Sequence, residues 1–200
     1  MANIVPVILV AALWCALHSL LITHACGRLV RRLCGRRAAW QRLVYNLFST
    51  ATLLWCWLQF RAYPGEPLWA WHGLWQIPRV AGLALAAWLG WRGARVHDNA
   101  AFLGLRQVRD LRAGREPPAP VLSRKGVLGL VRHPYYAAGL LVMALYADFT
   151  TTNVAYRAVF VLYLLLGTWL EERKLLAEFG EAYRAYRREV PALLPRRLIP

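Results

Sequence analysis

Residues 4–23 read IVPVILVAALWCALHSLLIT, a run of 20 residues without Asp, Glu, Lys or Arg. A helix needs about 20 predominantly apolar residues to cross the ~30 Å hydrocarbon core of a bilayer. This run therefore predicts a membrane span, which we place at residues 3–23. The composition agrees, because 58% of the 200 residues are hydrophobic and only 18% are charged. Soluble domains are about 45–50% apolar and about 25% charged.

Four further apolar stretches follow the first one, at residues 43–60, 78–91, 135–147 and 154–170. A charged amphipathic helix is predicted at residues 171–189, and Pro191 and Pro195 end it. The predicted fold class is all-α, an integral membrane helical bundle with about five transmembrane helices and a cytoplasmic C-terminal amphipathic helix. We expect a single membrane domain over residues 1–200, with three N-terminal spans in residues 1–97.

The positive charge of the chain follows the predicted spans. Of the 25 Lys and Arg residues, 22 fall in residues 27–42, in residues 92–132 or after residue 170. Five spans place these three segments on one side of the membrane, and the positive-inside rule makes that side cytoplasmic. The N-terminus is then outside and the C-terminus cytoplasmic. Because the cations segregate by topology, the net charge of +15 favours membrane lipid as the partner, and no nucleic acid is expected.

Two polar clusters flank the fourth and fifth spans, GVLGLVRHPYY at residues 126–136 and EERKLLAEFGEAYRAY at residues 171–186. A helical hairpin returns its two ends to one face, so the topology brings these clusters together. Arg132 and His133 stand at a helix start, where unpaired N–H groups and the helix dipole favour an anion or a carboxylate.

The second cluster has the opposite sign. Glu171 and Glu172 are suited to an ammonium or a sulfonium, and Tyr183 and Tyr186 share a helix face that offers rings to a cation. Simpler interpretations stay open at this point. Arg132 is equally suited to anchoring the end of a span. The two glutamates are equally suited to forming ion pairs with neighbouring cations. No metal-ligand motif such as HExxH or CxxC occurs, so no metal is expected.

The combined pattern resembles the isoprenylcysteine carboxyl methyltransferase and phospholipid methyltransferase superfamily of membrane enzymes. The motifs that carry this resemblance are Arg132-His133-Pro134-x-Tyr136, Glu171-Glu172, Phe179-Gly180-x-x-Tyr183-x-x-Tyr186 and Val190-Pro191…Pro195. The segments Leu17-His18-Ser19-Leu20-Leu21 and Phe102-Leu-Gly-Leu-Arg-Gln107 look like the branch that contains methanethiol S-methyltransferases and NnrU-type membrane proteins.

The resemblance implies S-adenosyl-L-methionine as the cofactor, bound at the cytoplasmic face by a methyltransferase-like region at residues 126–195. The cofactor-binding residues that it implies are Arg132, His133, Pro134, Tyr136, Glu171, Glu172, Tyr183 and Tyr186. We expect Glu171 or Glu172 to hold the cationic end of the cofactor, and Arg132 to bind its carboxylate or the acceptor. Arg132 and Glu172 are the predicted catalytic residues. Leu128 stands where the family often has an aromatic residue. The substitution weakens any contact that such a ring would make to the cofactor.

The function predicted on these grounds is an integral membrane S-adenosylmethionine-dependent methyltransferase, an enzyme of the inner (plasma) membrane of a bacterium. Its acceptor would be a small-molecule or lipophilic thiol or carboxylate. Two alternatives remain open. One is a non-catalytic NnrU-like membrane accessory protein that keeps the scaffold, and the other is a sterol-reductase-like enzyme that uses NADPH.

Overall fold

The computed structural model describes residues 4–115 and 121–195, and most of them are helical. This confirms the helical fold class. The helices are α1 Val5–Leu21, α2 His24–Cys34, α3 Gln41–Arg61, α4 Gln76–Val96, α5 Asn99–Leu103, α6 Leu105–Ala113, α7 Pro134–Leu145, α8 Thr151–Phe179 and α9 Glu181–Glu189. Short 3₁₀ turns lie at Gly35–Trp40, Gly73–Trp75 and Gly126–Gly129, and two short strands at β1 Pro67–Trp69 and β2 Phe149–Thr150.

All five predicted apolar stretches are helices, namely α1, α3, α4, α7 and α8. Within the described residues, α8 is the helix long and apolar enough by itself to cross a membrane, with a mean hydropathy of 1.4 in its apolar window. A second candidate is α1 taken together with the helical segment Ala25–Arg61, at an angle of 59°. The prediction of five spans therefore stays a prediction.

The predicted amphipathic helix at residues 171–189 is divided in the structure. Its first half continues α8 as far as Phe179, and its second half is α9. Gly180 separates the two with φ of +53°, a backbone conformation that glycine adopts without the steric penalty of a side chain. The break turns α9 back toward the end of α8, which matters for the site described below.

The chain divides into two compact units, one with residues 4–66 and 98–115 and the other with residues 67–97 and 121–195. The predicted single domain is untested. In the first unit α1 pairs with α3 through polar contacts between apolar helices. Trp14 Nε1 donates to Thr52 Oγ1 at 3.0 Å, and His18 lies 2.7 Å from the Tyr45 hydroxyl and 3.2 Å from Ser49 Oγ.

The turn between α5 and α6 packs against the start of α3 in the first unit. Arg42 Nε and Asn46 Nδ2 both donate to the carbonyl oxygen of Phe102, at 3.0 and 2.9 Å. Gly104 makes this approach possible, because its φ is +90° and a Cβ there would lie 2.4 Å from the backbone nitrogen of Leu43. Any side chain at this position would force the turn away from α3.

The second unit places the α7–α8 hairpin against α4. Its core contains Leu89, Val127, Val131 and Ala137, and α7 begins at Pro134, whose missing N–H costs nothing in a first helical turn. At the other end of the hairpin β1 pairs antiparallel with β2. The side chain of Thr150 caps α8 by accepting from the Asn153 N–H at 3.2 Å.

Candidate active site

The segment before α7 is held by the C-terminal residues of the described chain. The backbone N–H of Arg132 donates to the carbonyl oxygen of Pro191, and that of His133 donates to Ala192, both at 3.0 Å. The segment Arg132-His133 is thus fixed on a piece of extended backbone that follows α9. Proline at position 191 is compatible with this pairing, because only its carbonyl oxygen takes part.

Glu172 is the centre of the polar cluster at this end of the hairpin. Arg132 grips its carboxylate with two hydrogen bonds, from Nε to Oε1 and from Nη2 to Oε2, both 2.9 Å long. Arg187 on α9 adds a third cationic contact, from Nε to Oε2 at 3.0 Å. A bidentate arginine–carboxylate pair fixes geometry as well as charge, and it is among the stronger polar contacts of proteins.

Two further donors complete the shell of this carboxylate. His133 Nε2 lies 2.6 Å from Oε1, and the Tyr183 hydroxyl donates to the same oxygen at 2.6 Å. We call Glu172 with its partners Arg132, His133, Tyr183 and Arg187 the Glu172 cluster. Glu172 lies beyond the apolar stretch of α8 and is 8% exposed. Burial opposes its ionisation, but the hydrogen bonds from Arg132, Tyr183 and His133 prevail and lower its pKa to about 2.

Arg132 is as fully engaged as its partner. Its side chain is 7% exposed, and its remaining Nη1 contacts the carbonyl oxygens of Arg187, at 3.3 Å, and of Val190. Burial by itself would lower the arginine pKa, but hydrogen bonding to the Glu172 carboxylate raises it. The guanidinium therefore ties together α8, α9 and the segment before α7.

The two predicted tyrosines form the buried side of the site. Tyr183 and Tyr186 are both buried and pack with Val190 in one apolar group. Burial raises the pKa of Tyr186 to about 12, and burial together with the bond to Glu172 raises the pKa of Tyr183 further. Both hydroxyls consequently stay protonated donors, Tyr183 to the carboxylate and Tyr186 to the carbonyl oxygen of Leu128. The latter bond uses only the backbone of Leu128.

Two residues, Glu171 and Tyr136, present accessible groups beside the cluster. The Glu171 side chain is 42% exposed, with Oε2 4.0 Å from His133 Nδ1. The ring of Tyr136 lies edge-on to the His133 ring at 5.7 Å between centroids. Gly167, one turn before Glu171 on α8, accommodates that tyrosine, since a Cβ there would lie 3.0 Å from Tyr136 Cε1.

The structure therefore brings together all eight residues named from the sequence. Pro134 opens α7, the pair Arg132–Glu172 with His133 and Tyr183 forms the buried cluster, Tyr186 supports it, and Tyr136 and Glu171 lie at its accessible side. Sequence reasoning missed Arg187 and Gly167. Arg187 gave no local signal among the many arginines of the tail, whereas a glycine inside an apolar stretch, four residues before Glu171, was a signal that could have been used.

Comparisons with curated proteins give one consistent answer. The chain is 32% identical over 163 residues to methanethiol S-methyltransferase 2 of Bradyrhizobium diazoefficiens, a match that covers 79% of this chain and 61% of that protein. It is 30% identical over 171 residues to methanethiol S-methyltransferase of Crocosphaera subtropica, over 80% of this chain and 66% of that protein. These matches support the branch of the superfamily that contains the methanethiol S-methyltransferases.

A third relative of this family, from a Pseudomonas strain, is 30% identical over 62% of this chain and 50% of its own length. The chain thus spans between half and two thirds of the length of these relatives. Their shared name supports a methyltransferase function. No protein-family model matches the chain, and no solved structure does either. The resemblance to the branch with methanethiol S-methyltransferases, drawn above from the motifs, is therefore confirmed.

Proposed function

We propose that this protein is an integral membrane S-adenosylmethionine-dependent methyltransferase that acts on a small or lipophilic thiol or carboxylate acceptor. The observation that carries the proposal is the Glu172 cluster with the half-exposed Glu171 beside it. A methyl donor of the sulfonium type needs a carboxylate for its cationic end and a cation for its carboxylate, and both are available here.

The residues at the accessible side fit such a cofactor. Glu171 offers a carboxylate within reach of solvent, and the ring of Tyr136 offers a face or edge to a cation. Arg187 is 45% exposed, so its guanidinium can bind an anionic group while it remains in contact with Glu172. When bound, the cofactor supplies an activated methyl group. The protein positions that group, provides charged partners for the cofactor and excludes water around it.

The two glutamates would have different tasks. Glu172 accepts hydrogen bonds from three side chains and forms an ion pair with a fourth, Arg187, so its carboxylate is committed to holding the site together. Glu171 is the carboxylate that remains accessible. We assign to it the binding of the cofactor's ammonium group, which S-adenosylhomocysteine also carries. By the same reasoning Arg187, rather than the buried Arg132, is assigned to the cofactor carboxylate.

The acceptor would be held at the start of α7. A thiol reacts as its thiolate, and the positive end of the helix dipole stabilises an anion near the first turn of a helix. α7 begins at Pro134, directly after the two residues that belong to the cluster. Most of the rate enhancement in such a transfer comes from holding acceptor and methyl group in line, which requires the rigid cluster beneath.

The membrane topology is part of the proposal. Five spans with the N-terminus outside would place the Glu172 cluster at the cytoplasmic face of a bacterial inner membrane. Cys34 tests this orientation, because it is an exposed thiol between the first two spans, while Cys15 and Cys56 are buried. A Cys26→Ser variant should react with a membrane-impermeant maleimide in inverted vesicles and not in intact spheroplasts. The reverse pattern would contradict the orientation.

Calorimetric titration with S-adenosylhomocysteine, beside NADPH, tests the cofactor class. We expect micromolar binding of S-adenosylhomocysteine, and Glu171→Gln to weaken it by about tenfold, since a hydrogen bond to a charged group contributes about 1.5–3 kcal/mol. Glu178→Gln, an exposed glutamate on the same helix, is the matched control and should bind as the parent does. Binding of NADPH alone would indicate a reductase, and binding of neither would favour an accessory protein.

A further inference from the structure

The first unit carries a surface that the proposed reaction does not use. It consists of α2, the 3₁₀ turn Gly35–Trp40 and the α5–α6 pair, and we call it the basic–apolar surface. Its exposed arginines are Arg28, Arg31, Arg32, Arg36, Arg37, Arg109, Arg112 and Arg115. The two carboxylates in these segments, Asp98 and Asp110, both pair with Arg106. The exposed part of the surface is thus strongly positive.

Large apolar side chains lie exposed among these arginines. Leu29 and Leu33 are 55% and 76% exposed, and they share one face of α2 because they are four residues apart. Trp40 in the following turn and Phe102 in α5 are exposed as well. Arg112 of α6 lies over the Trp40 ring at 5.6 Å, which joins the two parts of the surface.

The position of α2 is fixed by its first residues. α1 ends at Leu21, and Thr23 caps the new helix by accepting from the Cys26 N–H at 3.2 Å. α2 therefore begins within a few residues of the end of the first proposed span, which is the depth of the lipid headgroups.

The rule that cations mark the cytoplasmic side explains the arginines, but it does not explain exposed leucines on the same short helix. A helix that lies in the interface does require both, with leucines at the acyl boundary and arginines at the phosphates. We propose that the basic–apolar surface docks on the anionic surface of the bilayer, with α2 as an interfacial helix. The proposal rests on the membrane location proposed above, and it is independent of the methyl-transfer chemistry.

A fluorophore on Cys34 reports this docking directly. In the Cys26→Ser chain Cys34 is the exposed thiol at the end of α2, and it can carry an environment-sensitive dye. The labelled protein is placed in nanodiscs of phosphatidylcholine, with or without about one third phosphatidylglycerol. We expect blue-shifted emission and quenching by headgroup-proximal spin-labelled lipid in the anionic discs, and both effects should decline as salt is raised.

The arginines are tested by the triple variant R28Q/R31Q/R32Q. Each basic residue near an anionic bilayer stabilises the docked state. Removal of all three should therefore lower the ratio of docked to undocked protein by on the order of a hundredfold. The difference in quenching between the two disc types should then vanish. The matched control is K174Q/R184Q/R188Q, which removes the same charge from exposed positions of α8 and α9 and should leave the difference intact.

Three results would overturn the proposal. The first is quenching that does not depend on lipid charge, and the second is equal loss in the control variant. The third is emission that changes on dilution with unlabelled protein, because it would assign the surface to a second copy of the chain. Binding of S-adenosylhomocysteine by the triple variant is measured in parallel, so that a failure of docking is distinguished from a failure of the proposed function.

Discussion

Replacing Glu172 by glutamine keeps the shape of the side chain and removes its charge. The buried guanidinium of Arg132 then loses the carboxylate that it grips with two bonds of 2.9 Å. Removing one partner of a buried ion pair costs about 3–5 kcal/mol, since it leaves an uncompensated charge. The exposed partner Arg187 adds little to this figure, because solvent screens its contact.

This loss of free energy converts to a melting temperature. A chain of this size changes its melting temperature by about 2–4 °C for each kcal/mol, so Glu172→Gln should melt roughly 10 °C below the parent. The assay is thermal unfolding of the detergent-purified protein, followed by circular dichroism. Glu178→Gln, on the same helix but exposed, should stay within about 0.5 kcal/mol of the parent.

A double variant separates the stranded charge from a general defect of packing. In R132M/E172L both charges are gone and apolar side chains fill the space, an exchange that is often neutral in buried pairs. It should melt well above Glu172→Gln. If Glu172→Gln itself melts within about 2 °C of the parent, the reasoning that makes this carboxylate the structural centre of the site is refuted.

Two further predictions concern the same end of the hairpin. The pKa of Glu172 is lowered from 4.5 to about 2 in the folded protein, so its contribution is complete above pH 4.5 and is lost as the pH falls toward 2. The melting temperatures of parent and Glu172→Gln should therefore converge over that window, and a constant difference would contradict the assignment. Gly167→Val should displace the ring of Tyr136, which a Cβ would approach to 3.0 Å. We expect weaker binding of S-adenosylhomocysteine and a loss of about 1–3 kcal/mol in the free energy of unfolding. Unchanged binding would show that Tyr136 does not contribute to the binding site.

The positions of α1, α3, α4, α7 and α8 could be predicted from the sequence because each coincides with a predominantly apolar stretch. The helices α5 and α6 could not, since they lie in the polar segment between the third and the fourth apolar stretch. Their ends depend on local groups, with Asp98 accepting from the Ala101 N–H at 2.9 Å and Gly104 and Gly114 in left-handed conformations. Such short helices depend on tertiary packing more than on their own propensity.

The proximity of the eight predicted residues could be expected from the sequence, but their contacts and the participation of Arg187 could not. The hairpin argument brings the two clusters together, because both ends of two antiparallel helices lie on one face. It does not determine that Arg132 reaches Glu172, or that the carbonyl oxygens of Pro191 and Ala192 accept from the segment before α7. These pairings depend on the break at Gly180, which directs α9 back to the site, and one glycine in an amphipathic stretch gave no indication of that direction.

The two adjacent glutamates differ for a geometric reason. Neighbouring residues on a helix point about 100° apart, so a helix that buries one of them must turn the other toward its rim. Glu172 points into the cluster and Glu171 is 42% exposed. The pair therefore places two different carboxylates on successive residues, one that is buried among partners in the cluster and one that is accessible from outside it. For this reason the stability loss of Glu172 variants and the ligand-binding loss of Glu171 variants should occur independently of each other.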